Sequence, residues 1–328
     1  MTRWLIPSLI AALLLAGFAS LLAGTVWLTP GQAFDGLLAG RADLASLIIA
    51  EIRLPRLVLG LMVGAILGMS GAVLQGLLRN PLAEPGLLGV SAGASLGAVI
   101  AIYFGVAAIF PLAPPLFGLV GGFVTAGTAL ILSRRGGTLS LILTGAAVSS
   151  IAAAGVSVAL NIAPNPYAAY EIMMWLMGSL VDRSWDHVWL AAPFILIGGA
   201  LLLMTGRALD ALALGEAQAE SLGIPVARTR LLALLGTALG VGAATSVAGA
   251  ISFVGLIAPH IVRPLVAHRP GKTLIPAALA GSLLVTLADI GTRLLVVDGK
   301  ILALGVFISL VGAPFFLWLV LHVQRRTA

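Results

Sequence analysis

The sequence predicts an all-α, polytopic membrane protein of about ten transmembrane helices, and three observations carry that prediction. Only 9% of the 328 residues are charged while 60% are hydrophobic, and the mean hydropathy is +1.13; a soluble domain carries roughly 25% charged residues. Apolar runs near the roughly 20 residues needed to cross a hydrocarbon core about 30 Å thick recur along the whole chain. The runs are continuous, without the period-two alternation that a membrane barrel needs.

The first run extends from Trp4 to Leu28. It exceeds the 7–15-residue apolar core of a secretory signal, so it reads as a retained first span, 4–28. The following spans are expected at 46–78, 88–107, 115–133, 139–161, 188–206, 230–251, 253–267, 273–296 and 302–322. Residues 166–180, PYAAYEIMMWLMGSL, read as a short helix outside the span count, with its aromatics at interface level. The stretch NPLAEP, Asn80 to Pro85, interrupts the apolar chain after the second span. Backbone freed there must be covered by protein or line a watery cavity, so the segment is not expected to face lipid.

Orientation follows from the positive-inside rule. With the N-terminus in the cytoplasm, Arg3, Arg79, Arg134, Arg135, Arg207, Arg228, Arg230, Arg263, Arg269, Lys272, Arg325 and Arg326 lie inside. Arg41, Arg53, Arg56, Arg183, Arg293 and Lys300 lie outside, so both termini are expected in the cytoplasm. The net charge of +6 comes from these scattered residues. They form no basic stripe with interleaved aromatics, which argues against nucleic acid as a partner.

Two sequence patterns concern packing. Gly60, Gly64 and Gly68 form a small-xxx-small ladder that lets another helix approach closely. A shift of 178 residues superposes Gly64, Gly71, Ala72 and Pro81 on Gly242, Gly249, Ala250 and Pro259. An odd number of spans separates the two copies, so they read as an inverted repeat with halves of about 46–161 and 230–322 within one domain, 1–328. Gly/Ala-rich spans also resemble one another by composition alone.

Catalytic and metal chemistry find little support. There are no cysteines, and His187, His260, His268 and His322 lie far apart without ligand spacing. No span carries paired carboxylates. Asp289 and Arg293, at i and i+4, predict an ion pair on one helix. The tripeptide GKT, Gly271 to Thr273, ends a phosphate-binding loop only if a glycine stands five residues earlier; that position is Val266. The longest inner segment, 207–230, contains good helix formers over 211–222, closed by Gly223 and Pro225. A helix there, with Leu212, Ala213, Glu216, Ala217 and Glu220 on adjoining faces, is suited to a soluble partner.

Several long motifs resemble one known family. They are IRLPR at 52–56, SGAVLQGLLRNPLAEPGLLGVSAGA at 70–94, LALGEAQAESLGI at 212–224, GAISFVGLIAPHIVR at 249–263, LADIGTR at 287–293 and LGVFISLVGAPFFLWLV at 304–320. In this order they resemble the FecCD/BtuC-type permeases, the membrane subunits of type II ABC importers for ferric siderophores, haem and cobalamin. Iron chelates and haem are the larger substrate classes there.

The resemblance implies a BtuC-like fold and a non-enzymatic permease in the bacterial inner membrane. It implies a homodimer with a second permease copy, two ATPase subunits, and a periplasmic or lipid-anchored substrate-binding protein. No cofactor is expected in this chain; ATP and magnesium belong to the partner ATPase. It also implies roles residue by residue. Asn80 and Leu82 match one cytoplasmic gate, and Thr138, Leu139 and Ser140 lie near a second, where the pattern is one residue shorter than the cobalamin permease's. Leu212, Leu214, Gly215, Glu216, Ala217, Glu220, Leu222 and Gly223 match the segment that couples to the ATPase. Arg53, Arg56 and Arg293 match docking points for the binding protein's carboxylates. The alternative is a secondary transporter built on the same repeat without an ATPase. Ionisable residues expected at span ends rather than at mid-membrane, together with the coupling-like segment, weigh against it.

Overall fold

Helices form where the apolar runs predict them. The computed structural model describes residues 2–24, 26–38, 44–133, 137–297 and 300–327. In chain order, α1 (Thr2–Leu22) is followed by α2 (Pro30–Leu38), which Thr29 and Gln32 open with a reciprocal cap. Then α3 (Leu44–Leu47), a π-helical turn (Ile48–Arg53) and α4 (Leu54–Leu77) make one continuous helical run. After the NPLAEP break and a 3₁₀ turn (Pro85–Leu88) come α5 (Val90–Tyr103), α6 (Val106–Ile109), α7 (Ala113–Ser133) and α8 (Gly137–Asn161). The expected short helix is α9 (Pro166–Leu176), whose first turn is capped by the Asn165 side chain. The chain continues through α10 (Trp185–Leu203), α11 (Gly206–Leu212), α12 (Glu216–Ser221), α13 (Val226–Ala248), α14 (Val254–Val262) with a 3₁₀ extension (Arg263–Val266), and α15 (Pro270–Leu294). A two-residue antiparallel pairing, β1 (Val296–Val297) with β2 (Lys300–Ile301), precedes α16 (Leu304–Thr327).

Eight of the expected spans are helices long and apolar enough to cross a bilayer. The other two are shorter apolar helices. The 14 residues of α5 rise about 21 Å at 1.5 Å each, short of a 30 Å core, and the 9 residues of α14 rise less. Both short helices follow breaks, where chain that a full span would use turns back on itself instead.

The core is built around α4. Every residue from Ile66 to Leu77 is buried, and α10, α13, α14 and α15 pack against it. Lipid tails are as apolar as leucine, so helix pairing here depends on close backbone approach. The expected glycine ladder does this work against α15: a Cβ on Gly64 or Gly68 would collide with the backbone of Gly281 or Ala277, and one on Gly281 with that of Gly64. The same device pairs α5 with α7 through Gly93 and Gly121, and α10 with α13 through Gly198 and Gly236.

Both halves run long helix, break, short helix, two long helices: α4, α5, α7 and α8, then α13, α14, α15 and α16. The 178-residue register does not hold at the breaks. Gly71 is a buried residue inside α4, whereas Gly249 ends α13 at φ +73°, and Pro81 lies in a turn whereas Pro259 lies inside α14. The first break is longer than the second, so one fixed shift cannot align both flanks. Residues at the C-terminal end of α1 meet Arg293, while α16 runs from Gly305, beside Gly178, past Phe253 to Leu319, which packs on Leu256 and Ile257. The start of α1 and the end of α16 therefore lie at the end of the bundle that holds Arg263 and α11–α12.

Candidate functional site

Three regions gather the residues singled out by the sequence. The first lies where α1 ends and α4 begins. Arg56 on α4 donates to Asp289 on α15 at 2.9 and 3.1 Å from Nε and at 2.6 Å from Nη2. Arg293, one turn beyond Asp289 on the same helix, donates to Oδ2 of Asp289, which Arg56 Nε also reaches, as the i, i+4 spacing predicted. Arg293 also donates to the carbonyls of Ser20 (2.9 Å) and Ala23 (3.0 Å). Arg53, 5% exposed, spends its guanidinium on the carbonyls of Leu21, Leu22 and Val26. These carbonyls lie at and just past the end of α1, where no helical partner remains.

The three arginines expected to dock a partner are thus brought together, but each is engaged inside the chain. They line one wall of a cavity of about 490 Å³ with Glu51, Asp182 and Arg183. Arg183, in the loop before α10, donates to the Val247 carbonyl at 2.6 Å. Burial draws its pKa down while neighbouring Asp182 opposes that shift. The π turn contributes too, since the Ala50 carbonyl accepts from the Trp185 indole at 2.8 Å.

The second region is the pair of breaks. Leu78 closes α4, and Arg79 turns the chain at φ +48°. The Asn80 side chain accepts from the Leu82 N–H at 2.9 Å, fixing a tight turn, and its carbonyl accepts from Ala83 at 3.2 Å. Leu82 packs against the buried cluster of Leu256, Ile257 and Leu319. The chain then climbs back into the bundle. Pro85 and the Leu67 carbonyl, near the middle of α4, crowd Gly255 from two sides, at 2.7 and 3.0 Å from where its Cβ would be. So the break begins at the α11–α12 end of the bundle, while Glu84, next to Pro85, reaches mid-bundle, where the sequence predicted no ionisable group. The second break is tied to the same place: Gln75 donates to the Gly255 carbonyl at 3.4 Å and accepts from Arg263 at 3.1 Å. Of the second expected gate, Ser140 is half-buried in the first turn of α8; the Thr138 and Leu139 side chains lie outside the described residues.

The third region is the segment after α10. The single helix expected over 211–222 is two helices, because Gly215 sits at φ +118° and ψ 155°, a conformation that L side chains rarely adopt. Leu209 and Leu212 on α11 and Ala219 on α12 are buried, so Leu212 is an anchor and not a contact surface. Leu214 and Leu222 are 65% and 63% exposed, and Glu216, Ala217, Glu220 and Gly223 are exposed beside them. Glu216 pairs with Arg230 at 3.2 Å. Asp210 accepts from the Gly271 N–H at 2.8 Å and lies 3.4 Å from Arg269, fastening α11 to the start of α15. The GKT tripeptide is therefore the first turn of a helix. Sequence reading missed this tie and the interlock of the breaks, since both join residues far apart in the chain.

No group of three or more possible metal ligands occurs among the described residues. His187 caps α10 with Ser184, and His260 packs edge-on against Phe315 and Trp318.

Residues 12–322 match the model of the FecCD transport family. The chain is 38% identical over 325 residues to the vitamin B12 import system permease protein BtuC of Salmonella paratyphi A, covering 98% of this chain and 96% of the relative. It is 39% identical over 291 residues to the cobalamin import system permease protein BtuC of Halobacterium salinarum, covering 88% of this chain and 77% of that one. Among solved structures, it superposes with a TM-score of 0.86 and 31% identity on a metal-chelate type ABC transporter in an inward-facing conformation, covering 97% of this chain and 98% of that one.

Proposed function

Because the chain belongs to the FecCD transport family and is a multi-pass permease of the ABC importer class, we propose that it carries a bulky metal chelate across the bacterial inner membrane, with cobalamin the first candidate. The family resemblance alone left ferric siderophores and haem ahead. Two relatives near 40% identity that are named for cobalamin or vitamin B12 shift the order. Transport is driven by ATP hydrolysed with magnesium in two separate subunits. Two copies of this chain pair around the path, and a binding protein delivers cargo from the arginine end.

The observation that carries the reading is the surface of α11 and α12. It is rooted in the core by Leu209, Leu212 and Ala219, yet turns Leu214 and Leu222 to solvent beside Glu216 and Glu220. Apolar side chains held out on a fixed helix pair, flanked by charge, suit a protein partner that must transmit force. The gate role of Asn80 and Leu82 fits a tight turn at the same end of the bundle. Docking at Arg53, Arg56 and Arg293 requires the partner's carboxylates to share guanidinium groups that the chain already uses. Charge at such a rim sets register and encounter rate more than affinity.

The test is purification of the tagged chain from its native membrane, followed by reconstitution. An ATP-hydrolysing subunit should co-purify, and cobalamin uptake should require ATP. Uptake driven by an ion gradient without that subunit would instead establish the secondary-transporter alternative.

A further inference from the structure

Between α1, α14, α15 and α16 lies a cavity of about 480 Å³ that docking, coupling and gating leave unused. It is bounded by Leu9 on α1, Ala258 and Val262 on α14, Leu284 on α15, and Ile308 and Val311 on α16. Ala258, Val262 and Ile308 are buried, so the space is recessed into the bundle, while Leu287 is exposed at its rim. Every side chain that lines it is apolar. Water needs about two to four polar partners to stay in such a space, and an empty one forfeits the dispersion contacts of its lining. Three of the four helices, α1, α15 and α16, are long and apolar enough to span a membrane, so the material that reaches the groove is hydrocarbon. Leu265 lines its inner end. From there the chain passes through Arg269, which shares its charge with Asp210 at 3.4 Å, to the exposed Lys272. Lys272 precedes Leu283, another lining residue, by about three turns on the same stripe of α15. An apolar groove that ends in cationic side chains has the polarity of an anionic phospholipid.

We infer that this groove binds one anionic phospholipid of the inner leaflet, with an acyl chain lying between α1 and α16 and the phosphate at Lys272 and Arg269. The commitment to an anionic lipid follows from charge, since each Lys or Arg close to an anionic headgroup raises affinity about fivefold. The acyl chain supplies packing that glycine supplies elsewhere. Toward α4, α15 closes backbone on backbone through Gly281; toward α1 and α16 it meets the groove. The lipid thereby joins the first helix of the chain to the last, and the hold on α16 depends on membrane composition. The site is independent of which chelate is carried.

The test is native mass spectrometry of the full complex, stripped of lipid in detergent and then given either phosphatidylglycerol or phosphatidylcholine. One phosphatidylglycerol should stay on each copy of this chain, in preference to phosphatidylcholine. Lys272→Gln should cut that preference about fivefold, the worth of one basic residue. Ala280→Phe puts a ring into the groove from its α15 side and should abolish retention of both lipids. A second measurement leaves the groove unfilled and does not depend on that variant folding. With p-benzoylphenylalanine at position 287, on the rim, light should join a phospholipid to the chain and add the lipid's mass. A cross-linked product of twice the chain's mass makes a second copy the occupant and overturns the inference. Equal retention of the two lipids overturns it, as does retention that Ala280→Phe leaves unchanged in a folded complex, or no retained lipid at all.

Discussion

At the arginine end of the bundle, Asp289 is 3% exposed and is shared by Arg56 and Arg293, while Arg53 is consumed by three carbonyls. At the opposite end, Glu216 meets Arg230 with both side chains partly in solvent, and Glu220 is exposed. The same residue types do opposite jobs because burial differs. Charges taken out of water must be satisfied within the chain, so they fix how α1, α4 and α15 meet. Charges left in water cost little to expose and are available to a partner. A motif arginine is thus no guarantee of a free one, and reversing the charge of Arg56 and Arg293 together would set two acids against Asp289 and disturb folding along with docking.

The comparison can be tested in order of expected effect. Asp289→Ala leaves two buried guanidinium groups without their counter-charge and should cost about 3–5 kcal/mol, read as a large fall in the melting temperature of the purified chain. A loss below about 1 kcal/mol, the value of an exposed pair, would erase the distinction between the ends. Gly215→Ala forces a side chain into a conformation that costs about 1–3 kcal/mol. Because α12 is a terminal feature, this should appear as lost ATPase binding with the bundle still folded, measured by co-purification beside circular dichroism. Glu216→Ala removes a partly exposed ion pair and should change stability by no more than about 1 kcal/mol. Glu220→Lys should leave stability within about 0.5 kcal/mol yet reduce ATP-dependent uptake; normal uptake would exclude this face from coupling.

What the sequence made legible was whatever is local. Helical runs, the short helix at 166–176, the Asp289–Arg293 pair and the glycine ladder all follow from spacing within one element. Arg56 as the third member of the Asp289 cluster was not legible, since it arrives from 233 residues away. The helices at 88–107 and 253–267 are shorter than a full span, Val90–Tyr103 and Val254–Val266, because hydropathy reports that a stretch is apolar and cannot say how long its helix is. The coupling segment was read as one helix because its residues favour helix. The glycine that divides it has to be placed at φ +118° by contacts that composition does not display. Leu212 was placed on the contact surface for the same reason, and the buried face of α11 reassigns it to the core.

The π turn between α3 and α4 has a consequence for length variation. It carries one residue more than a regular helix would over the same rise, and each residue of an α-helix advances it by about 100°. Deleting one residue between Ile48 and Arg53 would regularise the helix and swing everything before it through that angle. Ile49 would leave its packing against Leu21, Leu28 and Ala33, and the Ala50 carbonyl would turn away from Trp185. Loops of this chain can gain or lose residues at small cost. These six residues form a reading frame in three dimensions, in which a one-residue slip scrambles the whole rim.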